Sequence, residues 1–390
     1  MAVVRLKPGE QKRLLAGHPW VYANEVSRIH GEFQPGDIVD VVDSRGRFVG
    51  RGFINPASQI LVRLLTFEQE DVDRSFIAQR VQQAVQMRRE ILGDLDACRM
   101  VFGEADFLPG LIVDKFGDVL VFQTLALGME VRKDWILESL KEVLNPRGLF
   151  ERNDVPVREL EGLSLKSGFA SDPFNTLVEI EEEGLRFLVD VQSGQKTGHF
   201  LDQRENRAAI ARYVKGARVL DCFCHTGGFA LQALRAGAEA AEGIDASELA
   251  IDLAKANAER NGVARARFTV GNVFDELRSR AKRGEKYDAI ILDPPAFAKN
   301  RAALAGALRG YKEINLRAMK MLIPGGILVT CSCSQHVSEQ EFFDTIAAAA
   351  HDAGVRLRLL ERRGQPPDHP ILVGAPETAY LKCLIFRVEK

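Results

Sequence analysis

From residue 217 onward, short apolar runs alternate with longer stretches in which apolar residues recur three and four apart. The runs near 217–221, 240–244, 266–270, 287–293, 325–330, 356–361 and 379–388 predict strands. The stretches near 228–236, 247–261, 300–322 and 337–353 predict helices. Such regular succession implies an α/β fold whose sheet is doubly wound, mostly parallel and covered on two faces.

The earlier half of the chain reads differently. Residues 1–66 predict short strands separated by turn residues, at Asp37–Val42, Arg47–Gly50 and Ile60–Leu65, with a hairpin turn at Asp43-Ser44-Arg45-Gly46. Glu10–Leu15 predicts one short helix, and Trp20 is expected to pack the core of this small β structure, while for Tyr22 core packing is one of two readings. Asp71–Leu92 is helical by period, with Phe76, Val81, Ala84, Val85 and Ile91 on one side. A strand at Val119–Gln123, a helix at Val131–Val143 and a charged segment at 151–162 follow. Thr176–Val191 predicts two strands turned at Glu183-Gly184. The expected organisation is a small β-barrel over 1–68, an α+β central domain over 69–190 and the α/β domain over 191–390.

A length of 390 residues suits two or three domains, and 46% hydrophobic with 27% charged residues is ordinary for a globular protein. The net charge of −2 advertises no global affinity for nucleic acid, so any such contact is local. Residues 1–66 do carry nine Lys or Arg against six Asp or Glu. The opening Met1-Ala2-Val3-Val4-Arg5 leads straight into charged residues and no apolar run reaches membrane-spanning length, so a cytoplasmic protein with reduced thiols is expected. Cys222-Phe223-Cys224 and Cys331-Ser332-Cys333 lack the spacing of structural zinc sites, and no metal is expected.

The chemistry concentrates where predicted strands end. An apolar run ends in Asp221, and Cys222-Phe223-Cys224-His225-Thr226-Gly227-Gly228 then turns into an amphipathic segment. A strand, a Gly-rich turn and a helix start is the element with which α/β sheets hold a nucleotide-like cofactor. The bulky residues before the glycines do not suit a pyrophosphate, which wants G-x-G-x-x-G. Asp221 suits an ammonium group, and Asp245, 24 residues on, suits ribose hydroxyls. Upstream, the string Gln195–Arg207 mixes Gly, cations and carboxylates as a loop over a zwitterionic ligand would. The alternative is structural, with Asp202 capping a helix over Gln203–Tyr213 and Arg204 and Arg207 solvated.

With Asp245, Asn272 and Asp293-Pro294-Pro295 closing successive strands, the chain resembles the class I S-adenosylmethionine-dependent methyltransferases. Its first 66 residues, with Gly17-His18-Pro19-Trp20, resemble the RNA-binding PUA domain. Together with the charged central segment and the Gln195–Arg207 string, this is similar to the bacterial 23S ribosomal RNA 5-methylcytosine methyltransferases that carry a PUA domain. The resemblance implies S-adenosylmethionine as cofactor, held by Lys196, Phe200, Arg204, Asp221, Phe223, Gly227, Asp245, Ala246, Asn272, Val273, Phe274, Asp293 and Pro294. The family usually has Asp where Asn272 stands; an amide oxygen can still meet the adenine amino group. It further implies RNA as partner, no membrane, and homodimers as are common among such enzymes.

Asp-Pro-Pro followed by Ala296-Phe297 also resembles methyltransferases acting on guanine or adenine nitrogens, and by itself leaves nitrogen and carbon methylation open. Gly325–His336 resembles the cysteine-bearing strand end of RNA 5-methylcytosine enzymes, with Cys333 in the nucleophile's place and Asp293 against the cytosine edge. Carbon 5 of cytosine is too poor a nucleophile to take a methyl unaided, and a thiolate added at carbon 6 supplies the electron density. Cys331 is expected to be packing. Many such enzymes carry a second cysteine after Pro-Pro for product release; here Ala296 stands, and Cys224 and His225 are the alternatives.

Overall fold

Each strand predicted after residue 217 forms, in a computed structural model that describes residues 1–298 and 300–389. They are β1 (Arg218–Cys222), β2 (Ala240–Asp245), β3 (Ala266–Val270), β4 (Tyr287–Leu292), β5 (Leu322–Ser332), β6 (Arg356–Arg363) and β7 (Lys382–Glu389). They make one sheet in the spatial order β3-β2-β1-β4-β5-β7-β6. The first five are parallel, and β7 runs antiparallel to both β5 and β6. Strand order reverses direction between β1 and β4, and there the crevice outside the carboxyl ends accepts ligands in open α/β sheets.

The helices are α1 (Gly228–Arg235), α2 (Glu248–Arg260), α3 (Val273–Lys282), α4 (Leu304–Met321) and α5 (Glu339–Ala353). Side-chain caps set several starts: Ser247 Oγ accepts from the Ala250 N–H, and Ser338 forms a capping box with Glu341. Leu220, Ile290, Leu292 and Leu328 of the sheet pack with Tyr311, Ile314, Phe342 and Ile346 in one buried core. Helix α3 was not among the expected elements. Its buried apolar positions are only Val273 and Leu277, set among charged residues, so the periodic signal is thin. Tertiary ion pairs support it instead, with Arg280 reaching Glu242, Glu276 and Glu285.

Two compact units divide the described residues. One comprises Met1–Ile180, Val189–Leu201 and Pro367–Thr378; the other comprises Glu181–Leu188, Asp202–Pro366 and the chain from Ala379. The first unit holds a six-stranded sheet, from Val3–Leu6 to Ile60–Thr66, and a five-stranded sheet, from Ala97–Phe102 to Lys166–Phe169. The expected hairpin at Glu183-Gly184 forms, with both residues at positive φ of 51° and 71°.

Two packing expectations are corrected. Trp20 and Tyr22 sit on one face of a short strand whose middle residue, Val21, alone enters the core. The Trp20 indole N–H instead donates to Glu104 at 2.9 Å. On the helix Arg74–Leu92, Ile91 is exposed and Arg88 takes the buried position, paired with Asp106. The long Arg stem packs like an apolar residue while its head is neutralised.

Candidate active site

Five polar residues stand at the carboxyl ends of neighbouring strands. Asp221 is the penultimate residue of β1, Asp245 ends β2, Asn272 follows β3, Asp293 follows β4 and Cys333 follows β5. Chain segments far apart in sequence thus converge on one edge of one sheet.

Asp221 is fully buried. Its Oδ2 accepts from the Ala230 N–H at 3.0 Å in the first turn of α1, while Oδ1 is buried with no hydrogen-bond partner among the described residues. Burial pushes its carboxyl well above the usual carboxylate range, and the nearby Asp293 and Asp245 push it the same way. A buried, unpartnered acceptor in a negative neighbourhood is a receptor for a cation. The ammonium of S-adenosylmethionine fits it.

The turn after β1 is tight. Phe223 and His225 both adopt positive φ, 63° and 49°, and Gly227 follows at 84°. A Cβ on Gly227 would lie 2.8 Å from Phe268 Cζ, and one on Gly228 would lie 2.6 Å from Arg207 Cδ. The two glycines thus have different duties: the first supplies a left-handed conformation, the second clears a packed arginine. Gly227→Val is expected to destabilise the protein by about 1–3 kcal/mol through that backbone strain and overlap. Urea unfolding followed by circular dichroism measures it.

Asp245 sits half-buried, its Oδ2 accepting from the His225 N–H at 3.0 Å and its Oδ1 from the Ser247 N–H at 2.9 Å. Each oxygen keeps a second lone pair, which suits two adjacent ribose hydroxyls. The side-chain oxygen of Asn272 caps α3, accepting from Phe274 N–H at 3.0 Å and Asp275 N–H at 3.4 Å. The oxygen expected to meet the adenine amino group is thus engaged at the helix start, and the amide nitrogen is able to donate. Val273 is buried in the core, while Phe274 forms an aromatic cluster with Phe223 and Phe297, at ring separations of 5.8–6.4 Å.

At the next strand end Asp293 Oδ1 accepts from Gln203 Nε2 at 2.7 Å. The Gln203 oxygen accepts from Asn206 Nδ2 at 2.6 Å, and Asn206 Oδ1 accepts from Arg363 Nε at 3.0 Å. This chain of bonds fixes the orientation of the Asp293 carboxylate. Cys333 is the one half-buried thiol of the six; the others are buried. Its Sγ lies 3.8 Å from the carbonyl oxygen of Pro294, beside the Asp293-Pro294-Pro295 turn.

The family pattern described as an S-adenosylmethionine-dependent methyltransferase matches residues 163–387. The chain belongs to that family. A PUA-like domain pattern matches residues 4–67. Over 392 residues, 98% of each chain, the methyltransferase is 44% identical to the ribosomal RNA large subunit methyltransferase I of Tolumonas auensis. It is 43% identical to the protein of that name from Salmonella arizonae, over 98% of this chain and 96% of the other. A solved methyltransferase from Streptococcus mutans shares the fold at a TM-score of 0.85 and 20% identity, covering 99% of this chain and 100% of its own. Another solved methyltransferase, complexed with S-adenosylhomocysteine, reaches 0.87 at 20% identity, with the same coverage. The methyltransferase therefore uses S-adenosylmethionine, on the α/β and PUA-like architecture expected from its sequence.

The structure brings Asp221, Phe223, Gly227, Asp245, Ala246, Asn272, Val273, Phe274, Asp293, Pro294 and Cys333 into one unit of the methyltransferase, along with Arg204. Lys196 and Phe200 belong to the other unit, where the Lys196 ammonium lies 4.7 Å from the centre of the Phe200 ring. The structural alternative for the loop is corrected: Asp202 does not cap the helix Arg204–Ala209, and its Oδ2 accepts from the Tyr380 hydroxyl. Arg204 and Arg207 are buried rather than solvated, and Arg207 grips Glu182 with two bonds of 2.7 Å.

Cys331 is fully buried, paired across the strands with Cys383, and its thiol is pushed well up by that partner and by burial. Cys224 is buried as well, and burial raises its thiol well above the ordinary value. It is therefore a poor acid–base group for product release. Three residues near these side chains escaped sequence reasoning: Gln203 and Asn206, which hold the Asp293 carboxylate, and Lys382, whose ammonium donates to the Ser334 carbonyl. The first two lie inside the Gln195–Arg207 string but carry no charge to draw attention. Lys382 opens a strand with no motif around it.

Proposed function

We propose that this methyltransferase forms 5-methylcytosine in 23S ribosomal RNA through a covalent adduct to Cys333. The observation that carries the reading is the half-buried Cys333 thiol, 3.8 Å from the Pro294 carbonyl beside Asp293 at the cofactor's edge of the sheet. The curated relatives are named as methyltransferases of the large ribosomal subunit RNA. Asp221 would hold the cofactor's ammonium, Asp245 its ribose, and Asn272 with the Phe223–Phe274–Phe297 cluster its adenine. Arg204, Ala246 and Pro294 complete the proposed cofactor contacts of this unit.

S-adenosylmethionine supplies an electrophilic methyl group when bound. The protein's part is to make cytosine able to accept it. The Cys333 thiolate adds to carbon 6, the 5,6 double bond opens, and electron density moves to carbon 5. Asp293, held by Gln203, meets the N3/N4 edge of the base and steadies the adduct. After carbon 5 is methylated, loss of its proton re-forms the double bond and expels the cysteine as thiolate. The PUA-like domain would seat RNA, and the reaction belongs in the cytoplasm with ribosomal RNA. Among the described residues no helix is long and apolar enough to cross a membrane. The proposed boundaries of the three domains are 1–68, 69–190 and 191–390.

Methylation of 23S RNA by the purified protein, followed by nucleoside mass spectrometry, tests the reading. The expected product is 5-methylcytosine, and bisulfite sequencing should show one cytosine losing its methyl in cells without the protein. A methyl on a guanine or adenine nitrogen would leave the Asp-Pro-Pro turn sufficient and the thiol dispensable.

A further inference from the structure

We propose that Lys382 is a positioning residue for Cys333, pinning the turn that carries the sulfur and favouring its thiolate over its thiol. The inference deepens the covalent reading and rests on it. Lys382 is the first residue of β7 and lies directly opposite Ser332, the last residue of β5. Its Nζ donates to the carbonyl oxygens of Ser334 and Val337, both at 2.8 Å, so the ammonium clamps the chain immediately after Cys333. The residue is only 8% exposed.

An ammonium carries three donors, and two of Lys382's are spent on neutral carbonyls. Among the described residues it forms no ion pair. Burying an unpaired cation is costly, and a lysine is not needed merely to satisfy two carbonyls. Burial lowers its pKa to about 8, while Cys333 acts on it in the opposite direction, more strongly than Glu339 and Glu341 of α5. Such an effect is mutual: a thiolate that holds the proton on Lys382 is itself favoured by that proton. Glu341 is engaged with Ser338 at the start of α5, which spends part of its charge locally.

The Tyr311 hydroxyl of α4 interacts with Cys333 and is bonded to Ser334 Oγ at 2.9 Å and Ser332 Oγ at 3.0 Å. Burial raises that phenol, so it stays neutral. Glu339 and Glu341 also act on Lys382, favouring its protonated form, and Asp293 acts on the neighbouring Cys331. Lys382 is a cation acting with Cys333 at this turn, and its ammonium holds the carbonyls that follow the sulfur.

The acidity of Cys333 can be read without turnover, because the other five thiols are buried. The rate of iodoacetamide modification at Cys333, followed by peptide mass spectrometry across pH, gives its titration midpoint. In the wild-type protein the midpoint is expected below the ordinary thiol value of about 8.5. In Lys382→Met it should rise by at least about one pH unit, slowing modification at pH 7 about tenfold. Methylation kcat should fall with the thiolate fraction while S-adenosylhomocysteine binding persists, and Lys382→Arg should keep the low midpoint. A wild-type midpoint at or above the ordinary value overturns the proposal, whatever the variants do. So does a folded Lys382→Met protein, binding S-adenosylhomocysteine, whose midpoint has not moved. Should that variant not fold, Lys382→Gln is read by the same two criteria. Methylation surviving in Cys333→Ala would refute the covalent reading instead, and leaves the midpoint measurement standing by itself.

Discussion

Replacing Cys333 by alanine is expected to lower RNA methylation by at least roughly 10³-fold while cofactor binding survives. The size follows from the chemistry. Without addition at carbon 6, carbon 5 of the pyrimidine has too little electron density to attack a sulfonium, and no neighbouring group on this sheet edge replaces the thiolate. Cys331 is fully buried against Cys383, and Cys222 and Cys224 are buried beneath the turn, with burial raising both thiols. The proposed cofactor contacts on this sheet lie at the ends of β1 to β4 and none on β5, so calorimetry with S-adenosylhomocysteine should give an affinity near that of the wild type. A second readout follows the adduct directly. RNA bearing 5-fluorocytosine cannot lose a proton from carbon 5, so the wild-type protein should stay bound to it through denaturing electrophoresis and the alanine variant should not. Methylation at wild-type rates in the variant would leave only nitrogen chemistry at the Asp-Pro-Pro turn.

The second large effect is expected at Asp221. Asp221→Asn keeps an oxygen to accept from the Ala230 N–H but removes the charge that faces the cofactor's ammonium. A hydrogen bond to a charged group is worth about 1.5–3 kcal/mol, roughly ten- to hundredfold in affinity. Calorimetric titration with S-adenosylhomocysteine, which keeps the amino-acid ammonium, measures the loss. Unchanged affinity would remove Asp221 from the cofactor site. The same substitution should alter the pH dependence of stability in the cofactor-free protein. Burial holds the Asp221 carboxyl well above its unfolded value, so between those values the folded chain binds the extra proton. Wild-type stability contributed by this group is therefore present below the ordinary carboxylate range and lost as pH rises through the raised value. Thermal unfolding of the Asn variant across pH should lack that descent.

Much of the molecule was legible in the chain because strand ends are local features. A short apolar run closing in Asp221, Asp245 or Asp293 places each acid at the edge of a parallel sheet, whichever neighbours the strand acquires. The same logic located Cys333 beyond β5 and the turn at Glu183-Gly184. Legibility weakened where burial depends on partners. Trp20 left the small sheet's core because strand alternation turned Val21 inward, Ile91 lost its buried place to Arg88, and α3 formed around ion pairs rather than an apolar stripe.

The sequence alone determined the fold class, through period and turn chemistry within short windows, and its resemblance to a known family implied the cofactor and the candidate nucleophile. Tertiary structure alone decided what surrounds them. Gln203 reaches Asp293 across 90 residues, and Lys382 reaches the turn after Cys333 across 48. Contacts of that kind are created by strand order and register, which bring distant side chains together without any local signal.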